Sequence, residues 1–206
     1  MNDMTSLAVM ASLHGEWCKK VFDGIKTVEV RKTRPRLEPP FTIYIYCTRP
    51  NKRHQTISGS MIINTDELFR LPDGTLKHDW SVELMVHPSD TLGADNFLNG
   101  KVIGECVCDR ISKYAMVGCT KQDMSYREIR QSEYYMIDFD SLCLSPEDLD
   151  RYGNGRVLYG WHLLNPILYD KPMMLSDFQH WVNEGMRCWN SALDRAPQSW
   201  CYTLAR

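Results

Sequence analysis

The chain lacks the short motifs that mark common nucleotide-dependent and metal-dependent enzymes. It contains no Gly-rich phosphate loop, no G-x-G-x-x-G fingerprint, no H-E-x-x-H helix and no G-x-S-x-G turn around a nucleophile. Its eight cysteines include no C-x-x-C pair, so their spacing gives no metal knuckle. We therefore expect neither a metal ion nor a cofactor.

Membrane and secretion signals are also missing from the chain. No apolar run approaches the length needed to span a bilayer, and no basic leader precedes an apolar stretch at the N-terminus. We expect a cytoplasmic protein with mostly reduced cysteines and no membrane partner. With 206 residues, 43% of them hydrophobic, the chain is long enough for one packed domain and is not typical of a disordered protein.

Positive charge is concentrated in one part of an otherwise acidic chain. Residues 26–53 contain eight Lys or Arg against two Glu, which gives this stretch a charge of +6. The remainder carries −8, because the whole chain carries −2. Such a positive pole favours a polyanionic partner, since each phosphate bound by Lys or Arg releases counterions. The alternative is a charged loop that only keeps the protein soluble.

The most informative stretch is GIKTVEVR, from Gly24 to Arg31. It follows residues 13–22, whose apolar side chains recur with helical spacing, so Gly24 stands where a left-handed helix cap is expected. Side chains alternate along the strand predicted to follow, which puts Glu29 and Arg31 on one face, with Lys26 at the start of the strand. This arrangement is typical of a small polar site. The alternative is a structural salt bridge.

The pattern G-x-K-x-x-E-x-R resembles the signature of the ASCH (activating-signal-cointegrator homology) family, whose fold is PUA-like. Later stretches are similar to further strands of that domain: TIYIYCT at 42–48, KVIGE at 101–105 and YGWH at 159–162. The resemblance covers roughly residues 5–172, with an insertion at about 51–99. It implies an α+β fold built on a small, mostly antiparallel β-barrel with flanking helices.

Residues 173–206 are predicted to form a C-terminal helical cover and a tail. Ser176 and Gln179 have the spacing of a capping box, which begins a helix that carries Trp181. The last residues are too aromatic for a free end, and we expect them to pack back on the barrel.

The ASCH resemblance implies nucleic-acid binding, and it favours Lys26, Glu29 and Arg31 as residues that line a ligand pocket. Tyr44 and Tyr46, on one face of the next strand, are candidates for stacking on unpaired bases, since every base offers a π-face. Their alternative role is packing beneath a helix. A group of basic residues near the signature is predicted to bind phosphates: Arg34, Arg36, Arg49, Lys52 and Arg53.

Catalysis is an alternative that the family resemblance raises. One branch resembles an amidohydrolase that removes the acetyl group from acetylated cytidine, and it relies on a threonine where this chain has Glu29. The chain lacks that nucleophile but keeps Lys26. Other branches are described as ribonucleases, which need a general acid and base near a phosphate. The catalytic candidates are therefore Lys26 and Glu29, with Glu105, predicted on the face of Ile103, as a second carboxylate.

We expect a protein that binds RNA or another single-stranded nucleic acid. The first alternative is a hydrolase that acts on a modified nucleoside or on RNA. The second is a protein-interaction module whose positive pole binds an acidic partner. His162 is expected to be a hydrogen-bonded packing residue, because a lone histidine in an aromatic strand usually is.

Overall fold

Strands dominate the computed structural model, which describes residues 7–49, 98–120, 123–184 and 187–205. The strands in these ranges are β1 (Leu7–Leu13), β2 (Val28–Arg31), β3 (Phe41–Cys47), β4 (Lys101–Val117), β5 (Ser125–Arg130), β6 (Glu133–Tyr135), β7 (Leu158–Met173), β8 (Gln179–Glu184), β9 (Arg187–Ala192) and β10 (Trp200–Leu204). The helices are α1 (Gly15–Phe22), α2 (Phe139–Leu142), α3 (Pro146–Gly153) and a short 3-10 helix (Leu175–Asp177). No helix within these ranges is long and apolar enough to cross a membrane.

The strands of the described residues form one sheet. Its hydrogen-bonded order is β2, β7, β4, β3, β1, β10, β8 and β9, and the hairpin of β5 and β6 extends from β4. β1 and β3 run parallel, and the other pairs are antiparallel. The stretches predicted as strands, which are the end of the signature at 28–31 and the stretches at 42–48, 101–105 and 159–162, are confirmed as parts of one mostly antiparallel sheet. Its order ends at β2 and β9, and closure into a barrel stays a prediction.

The central strands are covered on both faces. Ile43 and Ile45 of β3 belong to an apolar cluster that includes Cys18 and Val21 of α1. The alternate residues of β3 belong to a second cluster, on the opposite face, that includes Phe178. Since both faces are buried, β3 reads as a nearly continuous apolar run instead of an alternating one.

The predicted C-terminal helix is wrong. After the 3-10 helix the chain continues as β8, which pairs with β9 and β10, and β10 pairs antiparallel with β1. The helical turn stops after three residues, with the Asp177 carboxylate accepting a hydrogen bond of 2.9 Å from the Met174 N–H. The aromatic residues that follow favour a strand where partner strands are available. The domain boundary near residue 172 stays a prediction.

Candidate functional site

A cavity of about 420 Å³ opens where β1 and β3 end side by side. Because these strands are parallel, their C-terminal ends meet at one edge of the sheet, where Leu13 pairs with Cys47. His14 follows β1 and Thr48 follows β3, and their side chains form a hydrogen bond of 3.0 Å. The signature residues line this cavity together with residues from other elements: Lys26, Glu29, Arg31, Trp17, Tyr152 and Ser199.

The turn between α1 and β2 brings Lys26 to the pocket. Gly24 has a φ of +72°, which confirms the left-handed cap predicted at this position. The backbone N–H groups of Ile25 and Lys26 both donate to the carbonyl oxygen of Lys20 at 2.9 Å. The chain therefore reverses directly after the helix, and Lys26 enters just before β2.

Lys26 is buried, with 3% of its surface exposed. Its Nζ donates to the carbonyl oxygen of Leu142 at 2.6 Å and lies 3.5 Å from Glu29 Oε2. Burial lowers the pKa of Lys26 below its usual value, and the Glu29 carboxylate partly opposes this shift. An ammonium has three N–H donors, and these two contacts use two of them.

Glu29 lies between the two cations, with 13% of its side chain exposed. Its Oε1 forms an ion pair with Arg31 Nε at 3.0 Å. The other nitrogens of Arg31 bind the protein: Nη2 donates to the carbonyl oxygen of Ser12 at 2.8 Å, and Nη1 donates to Ser199 Oγ at 3.1 Å. We call Lys26, Glu29 and Arg31 the triad. It carries one net positive charge when Lys26 is protonated, so it favours an electronegative ligand group.

Two aromatic rings of the pocket wall form cation–π contacts with lysine side chains. The Nζ atoms of Lys20 and Lys26 are 4.5 and 5.0 Å from the ring centroid of Trp17, in α1. The Nζ of Lys32 is 4.8 Å from the ring centroid of Tyr152, in α3. Cation–π contacts of this length stabilise ammonium groups at protein surfaces. Lys20 and Lys32 therefore add positive charge to the rings that line the pocket with the triad.

The C-terminal tail supplies one wall of the pocket. The Ser12 N–H donates to the Ser199 carbonyl oxygen at 3.0 Å, and Ser12 Oγ donates to the Pro197 carbonyl oxygen at 2.7 Å. Gln198 and Ser199 line the cavity. Sequence reasoning missed these residues because their contacts are distant in the chain: Arg31 and Ser199 are 168 positions apart.

Tyr44 and Tyr46 are not part of this site. They are 2% and 7% exposed and lie on the sheet face opposite to Ile43. The ring centroid of Phe178 is 4.9 Å from that of Tyr44. Because a base cannot stack on a covered ring, the prediction that these tyrosines bind a ligand is wrong. Their position fits the alternative role as packing residues. The segment that covers them begins with the 3-10 helix and includes Phe178.

Glu105 does not line the pocket either. A bulge in β4 between residues 102 and 104 shifts its register against β3, so Glu105 pairs with Tyr44 and no longer shares the face of Ile103. Its Oε2 accepts a hydrogen bond of 2.7 Å from the Tyr169 hydroxyl. The proposed role as a second catalytic carboxylate is therefore not supported by its position.

The predicted phosphate-binding residues lie outside the pocket where they are described. Arg34 and Arg36 are exposed in the loop after β2, and the Arg36 N–H donates to the Tyr202 hydroxyl at 2.7 Å. Arg49 is exposed after β3. Phosphate binding by this group stays a prediction. Its other members lie outside the described residues, as does nearly all of the predicted insertion: Lys52, Arg53 and residues 51–97.

A second polar cluster crosses β7, β4 and β5 away from the pocket. Arg110 Nη2 is 3.1 Å from His162 Nδ1, and Ser112 Oγ is 2.8 Å from His162 Nε2 and 2.5 Å from Glu128 Oε1. Since a guanidinium only donates, Nδ1 accepts, and Nε2 donates the ring proton to Ser112. Ser112 then donates to Glu128, which also accepts from Arg130. His162 is a hydrogen-bonded packing residue, as predicted, and does not act as a base for Ser112.

Known proteins similar to this chain were found by structure alone. No protein-family model matches it, and no curated protein matches its sequence. The crystal structure of ASCH from Zymomonas mobilis is 19% identical, over 97% of this chain and 87% of that chain, with a TM-score of 0.47. A point mutant of the same protein is 18% identical, over 97% and 90%, with a TM-score of 0.43.

The chain resembles ASCH domain proteins. This is the family that the G-x-K-x-x-E-x-R signature predicts. At these identities no residue role passes from the Zymomonas mobilis protein to this chain. Among the described residues, no group of three or more His, Cys, Asp or Glu side chains is placed to hold a metal ion.

Proposed function

We propose that this ASCH-like protein binds RNA or another single-stranded nucleic acid and places one nucleotide in the pocket at the ends of β1 and β3. The observation that carries the proposal is the buried, positively charged triad in a cavity of about 420 Å³. Cavities that bind small organic ligands measure roughly 300 to 1,000 Å³. The pocket therefore has room for a base and its sugar.

The chemistry of the lining supports a nucleobase. Leu13, Val30 and Leu144 supply apolar surface, while Lys26 donates hydrogen bonds and Glu29 accepts them. A base edge presents acceptors beside N–H donors, so one base can satisfy both side chains. Unpaired strands expose these edges, whereas a duplex hides them in base pairs. The described cysteines are free, which fits a reducing, cytoplasmic location for such a protein.

Fluorescence anisotropy of labelled single-stranded RNA tests the proposal. We expect the wild type to bind and Lys26→Met to bind more weakly for every RNA sequence, because the pocket loses its buried ammonium group. Lys171→Met is the matched control, since Lys171 is an exposed lysine on β7 that does not line the pocket. Equal binding by wild type and Lys26→Met would contradict the proposal. Equally good competition by polyglutamate would favour a protein-interaction module instead.

The exposed loop after β2 is a separate part of this proposal. We expect the double variant Arg34→Ala with Arg36→Ala to flatten the dependence of log K on log salt by roughly one to two units, because two phosphate contacts are lost. The same anisotropy measurement at a series of salt concentrations reports this slope. An unchanged slope would mean that the loop is only a solvated surface.

A second candidate is hydrolysis of RNA or of a modified nucleoside. The observation that favours it is the buried Lys26 ammonium 3.5 Å from a carboxylate, with its pKa lowered by burial, since catalytic acid–base groups are tuned by burial and by neighbouring charges. Denaturing gels of RNA incubated with the protein test this candidate. Shorter products that appear with wild type and disappear with Lys26→Met would replace the binding function by a ribonuclease.

A further inference from the structure

Two lysines that are not part of the pocket lining hold their ammonium groups over aromatic rings that are. Lys20, in α1, lies on the Trp17 ring at 4.5 Å, and Lys32, directly after β2, lies on the Tyr152 ring at 4.8 Å. Both rings line the cavity. We call Lys20 and Lys32 the rim lysines. They come from different elements of the fold, whereas the buried Lys26 lines the pocket itself.

The charges of the two rim lysines are not neutralised by an ion pair within the part of the chain that the structure describes. Within the described residues neither Lys20 nor Lys32 forms an ion pair, and Glu16, one helical turn before Lys20, makes none with it. An aromatic face attracts a cation but leaves its net charge in place. The ammonium groups of Lys20 and Lys32 can therefore attract an anion.

We propose that the phosphodiester backbone of the bound strand crosses this rim, with Lys20 contacting the phosphate on one side of the pocketed nucleotide and Lys32 the phosphate on the other side. This inference rests on the proposed function. It specifies the ligand as an internal nucleotide of a single strand, because a free nucleoside has no phosphate for either lysine.

The cation–π contacts favour this role for lysines in particular. Phosphate binding by lysine normally loses much of the rotamer entropy of its long side chain. Contact with the Trp17 or Tyr152 ring already restricts the ammonium to the pocket rim, so less entropy remains to be lost when the strand arrives. An ammonium also binds a phosphate as a point charge, without the fixed geometry of an arginine.

Salt dependence of RNA binding tests the path of the backbone. We expect Lys20→Gln and Lys32→Gln each to flatten the slope of log K against log salt by about 0.7, and the double variant by about 1.4, because a single strand releases about 0.7 counterions per phosphate contact. Lys171→Gln makes the same charge change at an exposed lysine away from the pocket and is expected to keep the wild-type slope.

A competition experiment tests the length of the ligand. A nucleoside, its monophosphate and a trinucleotide with the same central base are compared as competitors of labelled RNA, and we expect the trinucleotide to compete best and the nucleoside worst. Competition by the nucleoside that equals that of the trinucleotide would overturn the inference. An acidic peptide that competes as well as the trinucleotide would also overturn it and replace the strand by a protein partner.

The pocket and the path of the backbone are tested separately by these variants. If Lys26→Met loses RNA binding while the double rim variant keeps the wild-type slope, the pocket binds a nucleotide but the backbone takes another path, and only the inference is wrong. If neither Lys26→Met nor the double rim variant changes RNA binding, the proposed function fails as well. If Lys26→Met loses RNA binding and the double rim variant flattens the salt slope, both the nucleotide pocket and the path of the backbone are supported.

Discussion

Lys26 and Leu142 lie 116 positions apart in the chain and are joined by a hydrogen bond of 2.6 Å from the lysine Nζ to the leucine carbonyl oxygen. A backbone bond of 3.0 Å, from the Thr27 N–H to the Ser141 carbonyl oxygen, lies beside it. Together they attach the start of β2 to the end of α2. The ammonium of the pocket is therefore anchored to the fold and keeps one direction relative to Glu29.

Replacing this ammonium should affect stability as well as binding. We expect Lys26→Met to lower the free energy of unfolding by about 1 to 3 kcal/mol, because the buried carbonyl of Leu142 loses its partner. Urea denaturation of wild type and variant measures the difference. Lys171→Met, at an exposed site, should stay within about 0.5 kcal/mol of wild type. An unaltered unfolding free energy for Lys26→Met would show that the bond to Leu142 contributes nothing.

Removing the carboxylate of the triad should lower the free energy of unfolding more than replacing Lys26 does. Glu29→Gln leaves Lys26 and Arg31 close together without a counter-charge, and we expect a loss of about 3 to 5 kcal/mol in the free energy of unfolding. Asp23→Asn breaks the exposed ion pair between Lys19 and Asp23 and should change it by less than about 1 kcal/mol. Similar losses for the two variants, compared by urea denaturation, would show that the triad is hydrated like a surface pair.

The part of the site that depends on near neighbours could be predicted from the sequence. The cap at Gly24 and the alternation in β2 involve only adjacent residues, and together they bring Lys26 next to Glu29 and Arg31. Ser199 comes from a tail whose place depends on the pairing of β10 with β1. That pairing is decided by burial over the whole sheet, and no local hydrophobic periodicity predicts it.

The errors on Tyr44 and Glu105 have related causes. Alternation correctly places Tyr44 opposite Ile43, but it does not show which of the two faces another segment covers, and Phe178 covers the tyrosine. In β4 the bulge moves Glu105 to a different face. The residues around the bulge are buried on both sides of the sheet, so the hydrophobic pattern does not reveal it.

Stability should depend on the protonation of His162. Burial, and then Arg110, lower the pKa of His162 below its usual 6.5, while Asp109 and Glu128 raise it and Arg130 lowers it. Since the folded pKa lies below the unfolded one, folding favours the neutral ring. This contribution is complete above the unfolded pKa and is lost as the pH falls through it toward the folded pKa.

The measurement is the urea midpoint of wild type and His162→Gln between about pH 7.5 and about pH 5. A glutamine amide can still donate toward Ser112 but does not titrate. We therefore expect the wild-type midpoint to fall more steeply with decreasing pH than that of the variant. Parallel curves would show that His162 makes no pH-dependent contribution.

The reactivity of the cysteines should follow their burial. Cys119 is exposed, whereas burial raises the pKa values of Cys18 and Cys106, that of Cys108 to about 12 and that of Cys201 to about 11. Because the thiolate is the reactive form, we expect Cys119 to react first with a disulfide reagent at neutral pH. After unfolding without reductant, nearly all eight cysteines should be counted. A count near zero would place the protein in an oxidising compartment.

Glu29 bears on the alternative that this chain is an amidohydrolase. The family resemblance implies that the amidohydrolase branch has a threonine nucleophile at this position, and a carboxylate attacks an amide poorly. Its Oε2 is 3.5 Å from Lys26 Nζ and its Oε1 is 3.0 Å from Arg31 Nε. Two cations at these distances stabilise the carboxylate charge and make its oxygens weaker nucleophiles.

We therefore expect the wild type not to deacetylate acetylated cytidine. Incubation of protein with acetylated cytidine, followed by chromatography of the products, measures this. Glu29→Thr supplies the hydroxyl that the resemblance to the amidohydrolase branch calls for, and any activity it gains would identify the missing nucleophile as the reason for the wild-type result. Robust turnover by the wild type that disappears in Lys26→Met would instead make Lys26 and Glu29 catalytic residues, and the protein would be an enzyme and not a binding module.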